Sequence, residues 1–256
     1  MTLDPEPILP DIVSIARAAG DVVLDVRSSG FEIRSKADKT PVTIADERAE
    51  ALILDQLAKL APDVPAVGEE AYAAGQRHDL SAGIFWLVDA LDGTREFASG
   101  GFDFTVNIAL VEDGVPILGV VYAPALDLMF AGSPSGAFRS TGAAGPEVIR
   151  ARVPGPDGLV AVISKSHQSG SEDDFLRQFP VKDVLNRGSS LKFGLIAAGE
   201  ADIYPRLGPT SEWDIAAGHA VLVAAGGTVT TLDGVPLVYG KDDIRNPHFV
   251  ARGKLR

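Results

Sequence analysis

Residues 84–94 read Ile-Phe-Trp-Leu-Val-Asp-Ala-Leu-Asp-Gly-Thr, and this stretch restricts the fold more than any other in the chain. An apolar run of strand character, Ile84 to Val88, delivers Asp89 and Asp92, and Gly93-Thr94 follows at once. Two carboxylates leaving one strand end can share or flank a hard divalent cation such as Mg²⁺, which prefers oxygen ligands. The glycine lets backbone approach a ligand closely, and the threonine offers a hydroxyl and an amide to a phosphate or a water. An ordinary Asp-Gly turn accounts for the same residues, so the stretch by itself leaves both readings open.

A chain of 256 residues, 46% of them hydrophobic, suits one large domain or two intimately packed halves. Its net charge of −12 argues against non-specific binding to nucleic acid or anionic membranes. The same charge repels an anionic substrate unless cations or a local basic patch reverse the field. The absence of cysteine excludes disulfides, thiolate nucleophiles and cysteine zinc sites. Met1 to Pro7 lacks the basic and apolar regions of a signal peptide, and no apolar stretch is long enough to span a bilayer. A cytoplasmic protein is therefore expected.

Helical spacing of Ile12, Ile15, Ala16, Ala19, Val22, Val23 and Val26 predicts a helix from Pro10 to about Arg27, with a strand around Phe31–Arg34 after it. Thr43 to Asp46 opens a second helix that runs to Leu60 and stops at Pro62; its buried stripe is Ala49, Leu52, Ile53, Leu57 and Leu60. Val64–Val67 reads as a short strand ending at Gly68-Glu69-Glu70. Phe104–Val111 and Ile117–Tyr122 flank the turn Glu112-Asp113-Gly114, and Leu128–Gly132 with Gly136–Arg139 extends this hairpin into an antiparallel meander. Gly, Pro and Ala dominate from Ser140 to Gly158, which places a boundary between an N-terminal α+β half, 1–145, and a C-terminal α/β half, 146–256. In the second half, strands at Val160–Ile163, Val181–Leu185 and Ala201–Tyr204 alternate with helices at Asp173–Gln178, Ser190–Ala198 and Glu212–Ala225, the last closed by Gly226-Gly227.

Five acidic residues fall at element ends, where side chains can converge: Asp46, Glu69, Asp89, Asp92 and Asp214. Asp46 and Asp214 serve equally well as the third-position acids of capping boxes starting at Thr43 and Ser211. Glu69-Glu70 taken alone reads as a solvated pair. Together, however, Gly68-Glu69-Glu70, Asp89 to Thr94 and Trp213-Asp214-Ile215-Ala216-Ala217 resemble, in order and spacing, the motifs of the inositol monophosphatase superfamily of Mg²⁺-dependent, lithium-sensitive phosphatases. The likeness covers nearly the whole chain. Ser35–Thr43, Thr94–Phe97, Phe104–Leu110, Gly188–Phe193 and Tyr204–Thr210 further resemble its 3′(2′),5′-bisphosphate nucleotidase branch. One departure is Ala90, where the family usually has proline.

The resemblance implies a layered α-β-α-β-α sandwich of the inositol monophosphatase and fructose-1,6-bisphosphatase type. It implies that Glu69, Asp89 and the backbone carbonyl of Leu91 hold one Mg²⁺, that Asp89, Asp92 and Asp214 hold a second, and that Glu69 helps to hold a third. Asp46 and Thr94 would orient and deprotonate the attacking water, and amides of Gly93 and Thr94 would cradle the phosphate. Five carboxylates in one cleft raise one another's pKa unless cations neutralise them, and the loaded cleft can then accept a phosphate dianion. Substrate contacts are expected from Asp214, from Ser190 in the Gly188-Ser189-Ser190 turn, and from His167 in the loop that follows Ser164. A second phosphate needs a cation away from the metals; Lys192 is the first choice and Arg206 the second, against the ordinary reading of a solvated lysine.

The implied activity is release of the 3′-phosphate from adenosine 3′,5′-bisphosphate, with 3′-phosphoadenosine 5′-phosphosulfate as a further candidate, in sulfur assimilation. The alternatives are an inositol monophosphatase or sugar bisphosphatase with the same metal site, and a regulatory protein on an inactive phosphatase fold. Lys192 favours the nucleotidase, and the complete acidic set with Thr94 speaks against an inactive copy. The expected partner is a small phosphate ester, with no nucleic acid polymer, no membrane insertion, and a homodimer as the assembly considered.

Overall fold

Strands that read as unbroken apolar runs must be covered on both faces, and this requirement sets the layers of the molecule. A computed structural model describes residues 3–35, 41–165 and 170–254. The first part of the chain forms α1 (Pro5–Ser29), β1 (Arg34–Ser35), β2 (Pro41–Val42), α2 (Ile44–Leu60), β3 (Ala66–Gly68), α3 (Glu69–Ala73), β4 (Ile84–Asp92) and α4 (Thr94–Ala98). A meander follows: β5 (Thr105–Glu112), β6 (Val115–Ala123), β7 (Leu128–Ser133), β8 (Gly136–Thr141) and β9 (Glu147–Ile149). The rest comprises β10 (Leu159–Ser164), α5 (Ser171–Leu176), β11 (Val181–Arg187), α6 (Leu191–Ala197), β12 (Ile203–Arg206), α7 (Glu212–Ala224), β13 (Thr228–Thr231) and β14 (Phe249–Arg252).

Strands β3 to β9 lie in chain order in a seven-stranded sheet, parallel at β3–β4 and antiparallel elsewhere. The second sheet has the order β11-β10-β12-β14-β13, parallel across its first three strands and antiparallel across the rest. On β4, Ile84, Trp86 and Val88 face α1 and α2, whereas Phe85 and Leu87 face the opposite way. That opposite face shares one core with Phe193 of α6, Val221 of α7 and Val162 and Phe249 of the second sheet. Leu176 of α5 covers the outer face of the second sheet, against Ile163, Ile203 and Val250. The result is the expected α-β-α-β-α sandwich, with α6 and α7 as its middle layer.

Several expectations need correction. Helix α1 begins at Pro5, not Pro10: the Asp4 side chain accepts the Glu6 amide at 3.1 Å, and a first-turn proline loses no bond the helix would have made. The strand expected at Phe31–Arg34 shrinks to β1, and the Phe31 ring packs on Phe97 with centroids 4.6 Å apart. The Gly-rich stretch after Ser140 contains β9, which pairs with β8 and so still belongs to the first sheet. The division into 1–145 and 146–256 remains a proposal. Helix α5 starts two residues earlier than expected, at Ser171. Strands β13 and β14 went unpredicted; four residues each, they are too short for a clear alternation. Among the described residues no helix is long and apolar enough to cross a membrane.

Helix α7 lies almost on the sheet because two glycines admit its backbone. A Cβ on Gly119 of β6 would sit 2.2 Å from the Ala217 carbonyl oxygen, and one on Gly132 of β7 would sit 2.8 Å from the Val221 Cα. Gly119→Ala is therefore expected to destabilise the protein by roughly 1–3 kcal/mol or more through overpacking. Urea denaturation followed by circular dichroism checks this, and an unchanged midpoint would contradict the close seating of α7.

Candidate active site

The site begins with a fault in the β4 register. Asp89 pairs with Asn107 and Asp92 with Thr105, so three steps on β4 match two on β5. Side chains three apart on a regular strand point to opposite faces; the extra residue of a bulge lets both carboxylates turn to one side. The Leu91 amide donates to Asp89 Oδ1 at 3.0 Å and fixes the bulge. Gly93 follows in the left-handed region with φ +92°, where a side chain would be strained, and α4 starts with no side-chain cap.

Three further elements aim acids at this strand end. Glu69 opens α3 directly after β3, whose Gly68 pairs with Val88. Asp214 sits in the first turn of α7 and accepts the Ser211 amide at 2.8 Å. A carboxylate oxygen from each of Glu69, Asp89 and Asp214 lies within 4.8 Å of the others. On α2, Asp46 Oδ2 accepts from the Thr43 amide at 2.7 Å and the Thr43 hydroxyl at 2.8 Å, while Asp46 Oδ1 accepts from the Thr94 hydroxyl at 3.0 Å. Asp46 and Asp214 thus cap their helices and reach the site at once; the two readings were never exclusive.

Burial first, and then the neighbouring acids, hold the Asp89 and Asp214 carboxyls well above the ordinary carboxylate range. Asp92 is pushed up to about 6, chiefly by burial, with Lys192 and Arg206 opposing the shift and Glu69 and Glu96 adding to it. Asp46 is also raised by burial, against the hydrogen bonds from Thr43 and Thr94. Hard oxygen donors, mutual repulsion and desolvation together fit a divalent cation and no softer ligand chemistry. Among the described residues the carboxylates that converge within 4.8 Å are Glu69, Asp89 and Asp214; Asp92 and the Leu91 carbonyl, the other ligands that the resemblance implies, stand outside that group, and the Leu91 carbonyl faces the Thr94 hydroxyl at 3.2 Å.

The cationic residues stand beside this cluster. Lys192 is only 3% exposed, which excludes the solvated-lysine reading. Its Nζ donates to the Ser189 carbonyl at 2.5 Å and lies 5.1 Å from the centroid of the Tyr204 ring. Burial pushes Lys192 down to about 8, with Asp92 opposing and Arg206 assisting. Arg206, 7% exposed, donates through Nη2 to the Pro209 carbonyl at 2.8 Å, and its buried Nε has no hydrogen-bond partner among the described residues. The Ser190 hydroxyl donates to the Asp214 carbonyl at 2.5 Å and accepts from Asn107 Nδ2 at 3.2 Å, so it ties α6 to α7. His167, Ser166 and Lys36–Thr40 lie outside the described residues.

Two residues of this neighbourhood went unread in the sequence. Asn107 bridges β5 to Ser190; its signal was a single amide inside the apolar run Phe104–Val111. Glu50 accepts the Glu70 and Ala71 amides at 2.8 and 2.7 Å; its signal was a position four residues after Asp46, on the buried stripe of α2.

Comparison with known proteins gives the family. The model of the inositol monophosphatase family matches residues 4–254. The chain is 42% identical over 247 residues to the 3′(2′),5′-bisphosphate nucleotidase CysQ of Escherichia coli (strain K12), covering 94% of this chain and 98% of that protein. The crystal structure of CysQ from Bacteroides thetaiotaomicron superposes with a TM-score of 0.79 at 33% identity, over 95% of this chain and 96% of that one. An inositol monophosphatase from Anabaena (Nostoc) sp. PCC 7120 superposes with a TM-score of 0.77 at 26% identity, over 96% and 90%.

A cation that neutralises these acids should stabilise the fold in a pH-dependent way. Carboxyls raised in the folded state bind more protons than in the unfolded chain, so the metal-free protein loses stability as pH rises from about 4 through the folded-state values, about 6 for Asp92. A cation must displace those protons, so its contribution grows in the same direction. Millimolar Mg²⁺ should raise Tm clearly at pH 8 and progressively less as pH falls through 6. Thermal denaturation with and without Mg²⁺ across pH 5–8 checks this; a pH-independent increment would contradict it.

Proposed function

The chain belongs to the inositol monophosphatase family, and from that premise we infer that it is a 3′(2′),5′-bisphosphate nucleotidase releasing the 3′-phosphate of adenosine 3′,5′-bisphosphate. The observation that carries this reading is the buried Lys192, set beside the acidic cluster on α6: a monophosphate substrate has no second phosphate for it to hold. Glu69, Asp89, Asp92, Asp214 and the Leu91 carbonyl would hold Mg²⁺, in two or three ions. When bound, Mg²⁺ neutralises the phosphate, activates water and stabilises the leaving oxygen.

The protein's own groups orient and move the proton. Thr43 locks the Asp46 carboxylate, which in turn receives the Thr94 hydroxyl hydrogen. The Thr94 oxygen is then left with lone pairs to accept a hydrogen from a water, and Asp46, which burial raises above the usual carboxylate range, is the terminal acceptor. No side chain caps α4, so its first-turn amides, together with that of Gly93, are available to phosphate oxygens. Lys192 donates a short hydrogen bond to the Ser189 carbonyl and a long one to the Arg187 carbonyl at 3.5 Å, which leaves its third N–H for the remote phosphate, with Arg206 beside it. The Ser190–Asp214 bond couples the helix that grips the substrate to the helix that supplies a metal ligand.

Asp214→Asn keeps a side-chain oxygen at the third helical position to accept the Ser211 amide, but removes the negative charge. A loss of activity on the order of 10²-fold or more is expected with the fold intact. Thr94→Ala should lower kcat much more than it raises KM. A fully active Asp214→Asn protein would leave that residue as a cap alone.

Lys192→Met keeps the buried stem and removes the charge. A charge-assisted contact to phosphate contributes roughly 1.5–3 kcal/mol, about 10- to 150-fold in kcat/KM. That loss should fall on adenosine 3′,5′-bisphosphate and spare inositol monophosphate. Steady-state phosphate release on both substrates decides it, and an equal loss on both would remove the support for the nucleotidase.

A further inference from the structure

We propose that Glu50 is a positioning residue that sets the cation affinity of the site by holding the start of α3, and with it Glu69, against the acidic cluster. The inference rests on the reading of that cluster as a cation site.

Helix α3 has five residues, and its N-cap, Gly68, makes no side-chain bond to it. So short a helix is not stable alone, and its first amides must be satisfied from outside. Glu50, 3% exposed, accepts the amides of Glu70 and Ala71, one on each carboxylate oxygen. These are the two residues that follow Glu69, so the bonds fix the backbone on which the Glu69 side chain turns. A charged acceptor on two consecutive amides is a strong, directional clamp.

The clamp is rooted in the same helix face that carries Asp46. Residues four apart on a helix stand one above the other, so α2 holds the Asp46–Thr94 pair with one side chain and the Glu69 backbone with the next. Gly68 records how tightly the carboxylate is seated. A Cβ there would lie 2.4 Å from the Glu50 Cδ, so only glycine admits the acid at this place. Glu50 need not touch a cation; it acts through Glu69. A purely structural staple would cost stability alone, whereas a positioning residue must also change the affinity for the ion.

The test is Mg²⁺ binding to the whole protein by isothermal titration calorimetry, with Tm and steady-state kinetics alongside. Glu50→Ala should weaken Mg²⁺ binding about 10- to 100-fold, in proportion to other outer contacts of metal ligands. It should raise the Mg²⁺ concentration for half-maximal rate by a similar factor, with a much smaller fall in kcat at saturating Mg²⁺. Gly68→Ala should weaken binding in the same direction by displacing the carboxylate. Glu50→Ala/Gly68→Ala should be no worse than Gly68→Ala, because the clash has gone with the acid. Should Glu50→Ala unfold, Glu50→Gln keeps the length but offers one acceptor for two amides, and it should show a smaller loss of the same kind. A lower Tm with unchanged Mg²⁺ affinity, or losses that multiply in the double variant, would overturn the proposal. Failure of the parent protein to bind Mg²⁺ would instead overturn the cation-site reading beneath it.

Discussion

Like-charge repulsion among the acids at the end of β4 governs the rest of the structure. At an effective dielectric of about 20, each ionised pair within 4.8 Å costs on the order of a few kcal/mol, and burial adds to that. A chain that gathers such groups must force them together from rigid elements or let them disperse. Here four devices fix the five acids: a bulge in β4 for Asp89 and Asp92, the first turn of α7, the first turn of α2, and the short helix α3 clamped from α2. A cation held among these acids would relieve the repulsion, and the scaffold keeps them in place beforehand.

The layered packing serves this end. Helix α7 lies close to the seven-stranded sheet through Gly119 and Gly132, so its N-terminus arrives beside the end of β4 with little freedom. Helix α6 packs on α7 and brings Lys192 to the edge of the acidic cluster, while Asn107 and Ser190 join β5, α6 and α7 by hydrogen bonds. The buried lysine and arginine also hold down the Asp92 pKa against the burial that raises it, so the basic and acidic groups share one electrostatic field. Such a field is negative without cations and accepts an anionic substrate only with them.

Much of this was legible in the sequence because the acids occur at element ends, where apolar periodicity stops abruptly. Asp89, Asp92 and Gly93 follow an apolar run, and Asp46 and Asp214 follow capping residues, so their places in the fold could be read without tertiary information. Lys192 could be named but its burial could not, since nothing local distinguishes a lysine facing Tyr204 from one facing water. Glu50 and Asn107 act across long sequence separations, on α3 and on α6, and periodicity marks them only as polar residues out of place. The four-residue strands β13 and β14 owe their form to pairing with β12 and with each other, a partner effect that no short window contains.

The central claim is that phosphate release from a bisphosphate nucleotide depends on a cation held by these acids. Phosphate liberated from adenosine 3′,5′-bisphosphate should be measured in excess EDTA and again after Mg²⁺ is restored to a millimolar excess. The account predicts no turnover above background in the chelator and full recovery with Mg²⁺. Undiminished turnover in the chelator would contradict it.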